Sequence, residues 1–143
     1  MGRIKLIIPE KKIASINIPV RITDINYGNH VGNDALVSII HEARMQWLQL
    51  HGFTELNIAG TGLIMSELVV EFKNESFYGD MLKILLSVGE TTRVGFELFY
   101  QLYTTRNSEI ILIGNAKTSM LCYDYEIKKV IAVPAVLKEL FII

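Results

Sequence analysis

The chain has 143 residues, half of them hydrophobic and a fifth charged, with a formal net charge of -1. That length suits one domain over residues 1–143 with a sizeable core, and the composition excludes a disordered chain. Lys and Arg are scattered, so nothing points to a nucleic-acid partner or an anionic membrane surface.

The N-terminal run MGRIKLIIPEKKIASINI holds a short apolar stretch that breaks at Pro9 and Lys11. It is too short for the apolar region of a signal peptide or for a bilayer span. Cys122 is the one cysteine; it excludes an internal disulfide, fits a reducing compartment and reads as a small buried thiol. A cytoplasmic protein without membrane insertion is the expectation.

Residues 13–22 read as a first strand, in which Pro19 is tolerable near an edge or a bulge. Residues 23–33 form a turn-rich loop with one Asp, two Gly and three Asn. A helix is expected to start at Asn33 or Asp34, either of which can cap the free N–H groups of a first turn. Leu36, Ile39, Ile40, Ala43, Trp47 and Leu50 then recur at three- and four-residue intervals as one apolar stripe. Gly52 is placed to end the helix, after about five turns, in a left-handed conformation.

Beyond Gly62 the chain reads as sheet. Residues 63–73, 81–89, 95–103 and 109–123 are rich in Val, Ile, Leu, Phe and Tyr, and turn signals separate them. After Asp124 a polar turn leads to Pro134 and to a short terminal helix over AVLKELF. Strand, long helix, four antiparallel strands and short helix make an α+β arrangement. One helix leaves the second face of the sheet bare, which predicts an oligomer.

The order of elements and the residues of the first loop resemble the hot-dog-fold acyl-CoA thioesterases related to 4-hydroxybenzoyl-CoA thioesterase. The residues carrying the resemblance are RITDINYGNHVGN over residues 21–33, HEAR over residues 41–44, and ELVVEFKNESFYGDMLKI with its Gly79-Asp80 pair. It continues through TSMLCYDYEIKKVIAVPAVLKEL and so spans nearly the whole chain. It implies an antiparallel sheet wrapped around one long central helix, in a homodimer or a homotetramer, with active sites between subunits. It also implies hydrolysis of an acyl-CoA to a carboxylic acid and CoA, with no cofactor beyond the CoA of the substrate. In the family a carboxylate attacks the thioester or activates a water, and N–H groups at the start of the long helix polarise the carbonyl. A helix N-terminus is suited to that second role, since it offers unpaired donors and partial positive charge.

Placing His30 and Asn33 on the family's His and final Asn puts Asn26 where the catalytic Asp belongs. An amide can be neither a carboxylate nucleophile nor a general base at neutral pH. Asp24, two residues earlier, reaches the same side if the loop is extended; its alternative is an Asx-type turn. Glu42 on the helix is the other carboxylate, or a solvated acid off the apolar stripe. His30 either contacts substrate or fixes the turn. Gly28 and Gly32 are expected to supply backbone freedom and close approach. Gly32, Asn33 and Asp34 at the helix start, Ser66 on a strand and Lys73 as a CoA-phosphate cation complete the substrate-binding candidates; no metal is implied.

Two other functions compete. Hot-dog hydratases carry Asp-x-Asn-Pro-x-His, against Asp24-x-Asn26-x-x-x-His30 here, which lacks the proline and displaces the histidine. A non-catalytic acyl-thioester binding or regulatory protein would tolerate Asn26 as it stands.

Overall fold

The computed structural model describes residues 2–142. Strand β1 (Ala14–Pro19) is followed by a single 3-10 turn at Ile22–Asp24 and the long helix α1 (Asn33–Leu50). Four long strands come next: β2 (Gly62–Phe72), β3 (Met81–Thr91), β4 (Gly95–Arg106) and β5 (Glu109–Asp124). A two-residue strand β6 (Lys129–Val130) and helix α2 (Ala135–Leu140) follow. The sheet order is β1-β3-β4-β5-β2, with β6 beside β5 and every pairing antiparallel.

Pro19 ends an edge strand, where its missing N–H costs no ladder bond. The first strand stops there and does not reach residue 22. The Asp24 carboxylate accepts the Arg21 backbone N–H at 2.8 Å, and the Asp24 N–H reaches the Arg21 carbonyl at 2.9 Å, so the chain coils. Irregular pairings near Ser66, between Val88 and Thr91 and between Leu102 and Tyr103 add local twist to three ladders, which curves a sheet around a helix.

The apolar stripe of α1 is the helical half of the core. Leu36, Ile39, Ile40, Ala43 and Trp47 are buried against Ile84, Leu98, Tyr100 and Met120 of the sheet. Leu50 departs from the expected stripe: it is 70% exposed in the last turn, beside β1. Leu48 and Arg44 are buried instead. The cause is the loop over residues 51–61, which buries Ile58 and sets Glu55 against Arg44. Gly52, at φ +80°, ends the helix as expected.

The outer face of the sheet is not entirely bare. The N-terminal segment crosses it: the Leu6 N–H donates to Glu71, and the Ser87 hydroxyl donates to the Pro9 carbonyl at 3.3 Å. Phe99 and Asn115, which alternate with core-facing neighbours, are buried on that side. No helix among the described residues is long and apolar enough to cross a membrane.

Candidate functional site

The start of α1 is set by tertiary contacts. Gly32 is its cap, in extended conformation with no capping side-chain bond, and Asn33 and Asp34 are its first two residues. Neither therefore caps the helix. The Gly32 N–H is bonded to the Asp24 carbonyl and the Val31 N–H to the Ser76 carbonyl at 2.8 Å. Those two bonds fix the chain's entry, so the helix begins one residue after Gly32. First-turn N–H groups have no intrahelical acceptor, and at this end no cap side chain takes one.

The preceding loop is a small hairpin. The Asn26 N–H donates to the His30 carbonyl, and Asn26 Oδ1 accepts the Gly28 N–H at 2.8 Å. Gly28 and Gly32 both have ordinary negative φ, so their contribution is space, not backbone freedom. A Cβ on Gly28 would lie 3.1 Å from His30 Nε2, and one on Gly32 would lie 2.7 Å from Asp34 Oδ1 and 3.5 Å from Asn26 Cβ. Asn26 Nδ2 thus sits beside the helix start.

A cleft of about 220 Å³ opens here. His30, Asn33 and Leu36 line it from the helix side, and Phe72, Lys73 and Glu75 from the end of β2 and the loop after it. That loop is firmly tied. Asn74 donates to the Leu112 carbonyl at 2.8 Å, and the Arg106 guanidinium donates to the Glu75 carbonyl at 2.8 Å. Asp80 accepts from the Ser76 hydroxyl, the Phe77 N–H and, at 2.8 and 3.0 Å, from Arg106. The Arg106 guanidinium holds the Asp80 carboxyl below its ordinary value against the opposing effect of burial.

The candidate residues divide into two groups. His30, Asn33 and Lys73 line the cleft, and Asn26, Gly32 and Asp34 stand at its helix side. Asp24, Glu42 and Ser66 do not line it. Asp24 is 5% exposed with its carboxylate turned to Arg21, because the loop is coiled at that point and not extended. Glu42 accepts a hydrogen bond from Gln46 and faces a separate groove along β1. Ser66 is exposed at the bulge of edge strand β2, donates to the Ser119 carbonyl, and lies six residues from Phe72, or roughly 20 Å at 3.3 Å per residue.

The thioesterase-like superfamily matches residues 20–141, most of the chain. The chain belongs to that superfamily. Among solved structures it is similar to a 1,4-dihydroxy-2-naphthoyl-CoA thioesterase from Synechocystis, with TM-score 0.79 and 18% identity, over 90% of this chain and 94% of that one. It is also similar to a mutant 4-hydroxybenzoyl-CoA thioesterase complexed with 4-hydroxybenzoyl-CoA, with TM-score 0.79 and 19% identity, over 89% and 96% of the two chains. A DHNA-CoA thioesterase from Staphylococcus aureus matches with TM-score 0.78 and 16% identity, over 90% and 87%. These likenesses establish the hot-dog fold. Comparison with curated proteins gave no match.

In this thioesterase-like chain, periodicity and motif left three features unread. Glu75 faces the cleft from a turn whose letters, NES, signal only a loop. Asp80 and Arg106 form a knot 26 residues apart. Arg44 is buried, with Tyr100 accepting at 3.1 Å and Glu55 at 3.3 Å, while the neighbouring His41 is exposed and paired with Glu55.

Proposed function

We propose that this chain hydrolyses an acyl-CoA thioester to a carboxylic acid and CoA. The observation that carries the proposal is a cleft at a helix N-terminus whose cap, Gly32, offers no side-chain acceptor, with a histidine and a lysine on its walls. The first-turn N–H groups of α1, joined by Asn26 Nδ2, suit a thioester oxygen that gains charge as its carbonyl is attacked. Leu36, Phe72 and Ile113 offer apolar contact to the acyl chain, and Lys73 a cation for CoA phosphate. The reading calls for no cofactor beyond CoA, because thioester hydrolysis needs only a polarised carbonyl, a base and water. A homodimer, or two dimers joined, is part of the proposal: Ser66 and Glu42 can act in this cleft only if a second copy brings them to it. A reducing, cytoplasmic setting suits the buried thiol of Cys122.

The second reading is an acyl-thioester binding protein. It is favoured by the amide at Asn26 and by the burial of Asp24 against Arg21. Release of free thiol from a panel of acyl-CoAs separates the two. Hydrolysis predicts thiol release by the wild type. Saturable binding without turnover on any acyl-CoA would leave the binding role. An absorbance change with crotonyl-CoA and no thiol would point to hydration.

A further inference from the structure

Resting on the hydrolytic reading, we propose that Glu75 and His30 together form its proton-transfer pair and supply the base that Asn26 cannot. Most carboxylates on the segments around the start of α1 are engaged elsewhere, Asp80 by Arg106, Ser76 and Phe77. Asp24 is buried on Arg21, Asp34 is folded back against Gly32, and Glu71 holds the Leu6 N–H on the outer face of the sheet. Glu75 alone among the described residues brings a carboxylate to the cleft wall. Its backbone does not drift: Arg106 takes its carbonyl, and the next carbonyl, of Ser76, takes the Val31 N–H.

His30 is oriented to work with it. Its Nδ1 lies 3.1 Å from the Val31 carbonyl oxygen, which can only accept, so in the neutral ring Nδ1 carries the proton. Nε2 is then the lone-pair nitrogen, and it faces Glu75 Oε1 at 3.9 Å. Two acceptors at that separation do not bond each other. They can share one water that donates a hydrogen bond to each, since acceptors about 2.8 Å from a water oxygen and 3.9 Å apart subtend roughly 90° there.

The step balances without any other reactant. The water oxygen attacks the thioester carbon and forms the new C–O bond, while the carbonyl π pair moves onto oxygen beneath the first-turn N–H groups of α1. His30 Nε2 takes the water proton, and the Glu75 carboxylate stabilises the imidazolium. The oxyanion's pair then re-forms the C=O bond as the C–S bond breaks, the C–S electron pair leaves with sulfur, and the imidazolium proton passes to that sulfur. The products are a carboxylic acid and CoA thiol.

The test is thiol release by full-length wild type, Glu75→Gln and His30→Asn on the best acyl-CoA of the panel. Binding of a non-hydrolysable S-alkyl CoA and a thermal melt accompany each variant. The Glu75 side chain is 64% exposed, so the melt is expected to stay in place. Each single variant is expected to lose about 100-fold or more in kcat with analogue binding kept, and the double variant little beyond either. A Glu75→Gln enzyme with kcat within about twofold of wild type, or with weaker binding as its main defect, overturns the assignment and leaves hydrolysis standing. A wild type that releases no thiol from any acyl-CoA overturns both.

Discussion

Replacing Asp80 with Ala should cost more than its place in a surface turn suggests. The carboxylate accepts four hydrogen bonds, and two of its donors, the Ser76 hydroxyl and the Phe77 N–H, belong to the turn itself. Ser76 is 2% exposed, so its hydroxyl would be stranded; an unsatisfied buried donor costs about 1–3 kcal/mol. Arg106 is 28% exposed and water can reach it, which puts its loss well below the ~3–5 kcal/mol of a fully buried pair. Together these give about 3 kcal/mol, or a fall in Tm of roughly 10 °C for a chain of this size. Thermal unfolding followed by circular dichroism measures it. Because Arg106 holds the folded carboxyl below its ordinary value of 3.8, the stabilisation is fully present above that pH. It disappears as pH falls through the lowered folded value. The gap between wild type and Asp80→Ala should therefore be widest at neutral pH and narrow as pH falls below 3.8 through the lowered folded value, the ionisation-linked part being lost. A fall in Tm of less than about 3 °C at neutral pH, or a gap that does not narrow in acid, would refute the reasoning.

Gly114→Ala is expected to lower the urea midpoint by the equivalent of about 2–3 kcal/mol, because a Cβ there would lie 2.6 Å from the Glu71 carbonyl oxygen on the paired strand. The backbone of a ladder cannot step aside as a flexible side chain can; an unchanged midpoint would show that β2 and β5 are not so tightly paired. Burial pushes the Cys122 thiol up to about 11. A thiol reagent at about pH 8 should therefore leave the native protein unmodified and label it promptly in denaturant, and rapid labelling of the native protein would contradict the packing of β5.

The sequence by itself determined the elements whose signals are local. Apolar spacing from Leu36 to Trp47 fixes α1 and the face it buries, Gly52 ends it, and Val- and Ile-rich runs between turn residues mark the four long strands. The first-loop residues and the Gly79-Asp80 pair were enough to indicate the hot-dog family. Only the tertiary structure decided what crosses the sequence. Leu48 and Arg44 replace Leu50 in the interior because the loop over residues 51–61 folds onto one flank of the helix, which no helical period encodes. Asp24 turns inward because its carboxylate takes the Arg21 backbone N–H in a 3-10 turn. That is the local-turn alternative to an extended loop, a difference of a few backbone angles that sequence left open and that redirects a carboxylate. The cleft exists because the Ser76 carbonyl takes the Val31 N–H and joins two loops 45 residues apart. That single contact brings Glu75 to His30, and neither residue's neighbours along the chain announce the other.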